Sequence, residues 1–271
     1  MTTANLPPSI DTTKPSIARV YDAMLGGKDN FDVDRRALAR MVELAPEIPV
    51  VARENRRWLA RAVRWLAGDA GIDQFLDLGS GLPTAENTHE LAQRENPLAT
   101  VVYVDNDPAV VAHGRALLVD NERTSFAAAD LTDPADVLAQ PAVRNLDFTR
   151  PIAVLQCLTL HHIADLDEAR RIMSGYIDHL GSGSYVAMTH AQHPEPGDAE
   201  GDRVMATARR YQGTSDGFTP RGKDEIRSLL SGLDIVEPGL VPLGQWRPDT
   251  VQPTTVSAME RLMLAVIARK P

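Results

Sequence analysis

Between residues 74 and 189, short apolar runs alternate with helix-like stretches, and this alternation restricts the possible folds more than any other feature of the chain. The apolar runs fall at 74–78, 100–104, 125–128, 152–156 and 185–189, with amphipathic stretches at 84–95, 108–119, 134–143 and 166–179 between them. Strand, helix and strand in repetition predict parallel pairing, with crossover helices on both faces of one sheet. Two later runs, at 233–236 and 259–268, would complete a seven-stranded α/β sheet with an antiparallel final pair.

The residues before the sheet follow a different pattern. Residues 1–14 are polar and Pro-containing and read as a loose tail. Residues 15–70 are helical and strandless: Pro15 can open a helix carrying Ile17, Val20, Tyr21, Met24 and Leu25 at three- and four-residue spacing, and Gly26-Gly27 stops it. Further helices are expected at 35–44, ending before Pro46 and Pro49, and at 51–67. The sheet domain then covers 71–271, with an insertion at about 190–220 that holds a loop, a helix at 203–211 and a helix opened by Thr219-Pro220.

Composition narrows the setting. With 271 residues the chain can bury a full core without staples, and its single cysteine, Cys157, allows no intramolecular disulfide. A net charge of −9 lacks the electrostatic footprint of a nucleic-acid or membrane binder. No signal-like leader and no apolar run of transmembrane length is present, so a cytoplasmic protein is expected. One basic cluster stands out, Arg53, Arg56, Arg57, Arg61 and Arg64. At helical spacing it reads as a solvated face, with a small anion site as the other possibility.

The ends of the expected strands carry the chemistry. The first runs into Asp77, then Gly79-Ser80-Gly81, where glycines let a backbone approach a ligand closely. An ordinary tight turn would look the same if it stood alone. The second ends at Asp105-Asn106, and a carboxylate there can accept both ribose hydroxyls of an adenosyl group. The third ends at Asp130-Leu131, where the acid can accept from an adenine amino group and the Leu131 N–H can meet a ring nitrogen. Asp107 and Asp133, each before proline, read instead as helix caps. Thr84 stands where a pyrophosphate-binding loop has its third glycine, and an acid precedes the loop. Both features favour S-adenosyl-L-methionine, which has no phosphate, over a dinucleotide.

These strand ends are similar to those of class I methyltransferases. The segments SIARVYDAMLGGKD (16–29), GSGLPTAENTHE (79–90) and LHHI (160–163) further resemble the actinobacterial S-adenosyl methyltransferase family, once filed as a domain of unknown function. The resemblance spans nearly the whole chain and implies a Rossmann-like seven-stranded sheet, helices on both faces, an N-terminal helical lid and S-adenosyl-L-methionine as cofactor. In many class I enzymes a glycine occupies the position of Pro83, which here would pre-organise the helix start.

Methyl transfer requires alignment, exclusion of water and, for some acceptors, proton removal. The fourth strand ends Gln156-Cys157-Leu158-Thr159, as in small-molecule methyltransferases, and Gln156 is grouped with the cofactor contacts. His161, preferred, or His162 could serve as general base, or one of them could simply pack. The pair lacks the spaced ligands of a zinc site. Under a lid, Tyr21, Lys28, Asp29 or Asn30 would line the pocket and Arg53 or Arg56 would face the methionyl carboxylate; a solvated turn after the Gly26-Gly27 cap is the competing reading. The segment 217–221, with Arg221, and Trp246 are acceptor-side candidates. The expected activity is methyl transfer to a small molecule, with secondary metabolism as its setting. A catalytically silent sensor of the cofactor and a nicotinamide-dependent oxidoreductase are the competing classes.

Overall fold

The computed structural model describes residues 10–84, 86–118, 121–212, 218–249 and 257–271. The first nine residues of the expected tail and Gly217 of the acceptor-side segment lie outside the described residues. Three helices come first: α1 (Ile17–Met24), α2 (Asp32–Leu44) and α3 (Ile48–Gly68). The alternating part follows with β1 (Gln74–Leu78), α4 (Thr88–Glu95), β2 (Thr100–Asp105), α5 (Pro108–His113), β3 (Thr124–Ala128), α6 (Pro134–Ala139), β4 (Ala153–Cys157), α7 (Leu166–Ile177) and β5 (Tyr185–Ala191). The chain ends with α8 (Ala199–Gln212), α9 (Lys223–Ser228), β6 (Asp234–Ile235), β7 (Val241–Pro242), α10 (Ala258–Arg261) and β8 (Met263–Arg269).

The sheet runs β3-β2-β1-β4-β5-β8-β6, and β7 also pairs with β8. Strands β1 to β5 are parallel, whereas β8 inserts antiparallel between β5 and β6. The seven expected strands are present, and the two-residue β7 is an eighth that no apolar run announced. Every residue of β1 is buried, as a central strand covered on both faces requires. One face packs Leu76, Val102 and Val154 beneath α7 and α9 through Ile172, Met173 and Ile226. The other packs Phe75, Val101 and Leu155 beneath α3 and α4 through Trp58, Leu66 and Leu91. Each such side chain contributes roughly 1.5–3 kcal/mol by burial.

Local chemistry moved several expected boundaries. Pro49 does not end a helix; it sits in the first turn of α3, where its missing N–H costs nothing. The helix expected from residue 84 starts at Thr88, because Glu90 reaches back to the Asn87 N–H at 2.6 Å and sets the cap there. Pro83 therefore lies in the loop and not at the helix start. Thr219 is not a cap either: Gly222 occupies that position for α9, with the Glu225 carboxylate on its N–H at 2.7 Å. The run at 259–268 divides between α10, which Ser257 caps, and β8. Asp107 and Asp133 cap α5 and α6 as expected, accepting from the Ala109 and Asp136 N–H groups.

The N-terminal helices are fastened to the sheet domain. Arg19 and Asp34 form a buried ion pair at 2.9 Å that joins α1 to α2. The Ser16 hydroxyl donates to Asp107 Oδ2 at 2.5 Å, and Ile10 and Ala18 pack on Leu82, Ala109 and Val110. Helix α2 packs against α8, which follows β5 in the chain.

Candidate cofactor and acceptor site

The strand order places Asp130, Asp105, Asp77 and Gln156 at the carboxyl ends of four neighbouring strands. Asp77 is buried, and loss of hydration pushes its carboxyl up to about 6, against the opposing Thr88 hydroxyl, which donates at 2.7 Å, and the Arg56 guanidinium. Asp105 Oδ2 accepts the Gly81 N–H and Oδ1 the Asp107 N–H, both at 2.9 Å. Burial raises this carboxyl too, partly offset by those bonds. Asn106 is exposed beside it. Asp130 is exposed, and the Thr132 N–H and hydroxyl both donate to its Oδ1. The Leu131 carbonyl accepts from the Tyr176 hydroxyl at 2.7 Å.

Gly79 and Gly81 both adopt φ +69°, a conformation that glycine reaches without penalty. At Gly79 a Cβ would lie 2.5 Å from Thr159 Cγ2, so the turn after β4 rests directly on the glycine loop. At Gly81 a Cβ would meet nothing within 4 Å, so the loop is open on that side. Nearby, Ser80 Oγ and Gln156 Nε2 are buried without a protein hydrogen-bond partner. Buried polar groups are rarely left so. Open space, orphaned polar atoms and strand-end acids fit a ligand that is itself both donor and acceptor, such as the adenosyl and methionyl parts of S-adenosylmethionine.

Among the clustered arginines, the solvated-face reading needs correction. Arg61 is buried and donates to the carbonyls of Leu243 at 2.7 Å and Trp246 at 3.2 Å. Arg56 reaches the glycine loop, donating to Thr84 Oγ1 at 2.6 Å and the Glu86 carbonyl at 2.5 Å. Arg53 is exposed on α3, so of the two arginines proposed for the methionyl carboxylate the structure brings Arg56 to the site.

The residues expected to line a lid divide similarly. Asn30 binds the Asp22 carboxylate at 2.8 Å and the Gly27 carbonyl at 3.0 Å, so it holds the GGKDN turn together instead of facing a pocket. Lys28 is exposed. Asp29 lies 3.8 Å from His113 of α5. Tyr21 is half-buried, its hydroxyl donating to the Ala52 carbonyl at 3.1 Å and accepting from Asn55 Nδ2 at 3.0 Å. Burial pushes that phenol up to about 12. Asn55 carried no sequence signal, since one polar residue amid arginines on a helix looks like surface.

His161 is enclosed by the rings of His162, His190 and Phe218, and its Nδ1 has no partner. Burial, with His162, His190 and Arg221 adding to it, holds its pKa well below the usual imidazole range. His161 is thus held as the neutral imidazole, and forming an imidazolium there is disfavoured. His162 is half-buried. Arg221 is only 2% exposed and donates to the carbonyls of Leu160 (2.9 Å) and Ile163 (2.6 Å) and to His190 Nε2 (2.9 Å). It thereby braces the histidine turn. Trp246 is likewise buried, edge-on to Trp58 and Trp65, far from an acceptor-facing role. Loss of hydration raises the Cys157 thiol, which keeps it protonated.

A parallel α/β sheet with an antiparallel strand inserted before its edge, and acids at three adjacent strand ends, defines the class I S-adenosylmethionine-dependent methyltransferase architecture. The model of the S-adenosyl methyltransferase family matches residues 3–271. The chain belongs to that family, and S-adenosyl-L-methionine is its cofactor. It is similar to a Thermobifida fusca YX protein described as a candidate methyltransferase, at 44% identity over 99% of both chains and a TM-score of 0.90. It is also similar to a DUF574 family protein of Streptomyces avermitilis MA-4680, at 39% identity over 97% of this chain and 100% of that one, TM-score 0.89. The N-methyltransferase NodS of Bradyrhizobium japonicum WM9, solved with S-adenosyl-L-homocysteine, shares the fold at 17% identity, TM-score 0.51, over 93% and 99% of the two chains. A search of curated proteins returned no match. Among the described residues, no helix is long and apolar enough to cross a membrane.

Proposed function

We propose that the chain methylates a small-molecule acceptor in the cytoplasm, in a secondary-metabolic setting, with its N-terminal helices acting as a lid over the cofactor. The observation that carries this reading is the row of Asp130, Asp105 and Asp77 at the carboxyl ends of β3, β2 and β1, beside the open face of Gly81. When bound, S-adenosylmethionine supplies an electrophilic methyl group for in-line displacement.

Each residue then has a task. Asp77 balances the cofactor ammonium, and Arg56 at the loop faces its carboxylate. Asp105 keeps acceptor capacity for the ribose hydroxyls, because each carboxylate oxygen can take more than one bond. Asp130 and Leu131 hold the adenine edge, and Gln156 and Ser80 supply the remaining polar contacts. Where the acceptor carries a proton to be lost, His162 takes it. Lid closure, by the contact of Ser16 with Asp107, excludes water from the reacting groups.

The enclosure of His161 and the protonated Cys157 favour one second reading, a cofactor-binding sensor without turnover. Calorimetric titration with S-adenosylmethionine, S-adenosylhomocysteine and NADH tests the site, and an acceptor screen separates enzyme from sensor. Binding of the two adenosyl-sulfur compounds but not NADH, with product formed from any small acceptor, is the expected result. NADH binding in their place would reject the proposal.

A further inference from the structure

A single buried side chain links the lid to the glycine loop. Asn55 of α3 is 3% exposed and makes hydrogen bonds in two directions. Its Nδ2 donates to the Tyr21 hydroxyl of α1 at 3.0 Å, and that hydroxyl donates onward to the Ala52 carbonyl at 3.1 Å. Its Oδ1 accepts from the Thr189 hydroxyl of β5 at 2.8 Å. Thr189 Oγ1 in turn accepts the Leu158 N–H at 3.0 Å. Each hydroxyl therefore has one role as donor and one as acceptor, and the amide of Asn55 can point only one way.

The far end of this chain is a strained residue. Leu158, directly after β4, has φ +57°, which side chains other than glycine seldom adopt and which structures retain mainly where surroundings enforce it. Its conformation sets Thr159 against Gly79, where no room for a Cβ remains, and the Thr159 hydroxyl donates to Gln156 Oε1. Five residues thus connect α1, α3, β5, the β4 turn and the cofactor loop.

We infer that Asn55 is a positioning residue: by joining Tyr21 to Thr189, it makes the cofactor-holding form of the glycine loop depend on α1 being seated. The inference rests on the methyltransferase reading of the site. Tyr21 of α1 and Thr189 of β5 are then coupled through one amide. Loosening either end frees the other.

The test is the dissociation rate of S-adenosylhomocysteine, read by stopped flow, for wild type, Tyr21→Phe, Thr189→Val and the double variant, and for the same set in an Asn55→Leu background. Each of the two single substitutions should speed release about tenfold, the worth of one buried hydrogen bond. The double variant should fall short of the product of the singles, and the shortfall should vanish when Asn55 is Leu. Tyr21→Phe and Thr189→Val each delete one oxygen, so they report even where Asn55→Leu does not fold. Rates within twofold of wild type, or effects that simply multiply, would overturn the inference while leaving the cofactor site intact; lowered melting temperatures with unchanged rates would assign these residues to stability alone and overturn it equally. Failure of folded wild-type protein to bind S-adenosylhomocysteine would overturn the site reading and this inference with it.

Discussion

Asp105 Oδ2 accepts the backbone N–H of Gly81 at 2.9 Å, so the acid that ends β2 also sets the shape of the loop that ends β1. Its removal should act twice, on the cofactor ribose and on the loop. Asp105→Ala is expected to weaken S-adenosylmethionine about 100-fold or more, by the loss of charge-assisted hydrogen bonds worth roughly 1.5–3 kcal/mol each. Asp105→Asn, which can still accept from Gly81, should lose less. Equal losses in calorimetry would show that the loop contact is irrelevant.

The buried Asp77 predicts a pH dependence of binding. Its carboxyl is raised to about 6 in the free protein, and in the proposed role only the ionised form would balance the cofactor ammonium. Affinity should be level above pH 7 and fall about tenfold per pH unit below 6. The sign for stability is opposite. A carboxyl raised above its unfolded value penalises the fold once ionised, so acidification through pH 6 relieves this group. Titrations from pH 5 to 8 check the point, and Asp77→Asn should bind weakly with no slope in this range.

His190 works in the other direction. Its Nδ1 lies 2.7 Å from the Ala191 carbonyl, so the proton sits there and Nε2 accepts from Arg221. Burial lowers its pKa to about 4, below the unfolded value. The neutral form stabilises the fold fully above about pH 6.5, and that contribution, on the order of 3 kcal/mol, is lost as pH falls toward 4. Urea denaturation at pH 7 and pH 4.5 should show the loss in wild type. His190→Gln, which cannot be protonated, should show a smaller one.

The two loop glycines should respond differently to one methyl group. Gly79→Ala combines φ +69° with a Cβ 2.5 Å from Thr159, so it should cost several kcal/mol and displace the β4 turn. Gly81→Ala has the same φ but open space, so it should cost about 1–2 kcal/mol and leave the fold intact. Its cofactor affinity should nonetheless drop, since the new Cβ projects into the opening. Thermal melts separate the first effect and calorimetry the second.

The sheet and its strand-end acids were legible in the sequence because both are local. Hydrophobic period marks a strand, and Asp77, Asp105 and Asp130 each lie at or just beyond the end of one. What stayed hidden depends on contacts distant in the chain. Arg61 reads as a solvated arginine until Leu243 and Trp246 supply its acceptors, and Asn55 reads as surface until Thr189 meets it. His161 shows the converse, an apparent base that packing encloses. Short β7 carries too few residues for any period, and Pro49 reads as a helix stop until the start of α3 places it in a first turn.

The bonds from Arg61 to the carbonyls of Leu243 and Trp246 bear on the order of biosynthesis. On a ribosome, α3 emerges well ahead of the groups that satisfy its buried guanidinium, which lie 182 and 185 residues further along the chain. A nascent chain released only as far as β5 can seat Asn55 on Thr189 but must leave Arg61 in water. Helix α3 is therefore made long before its packing can be completed.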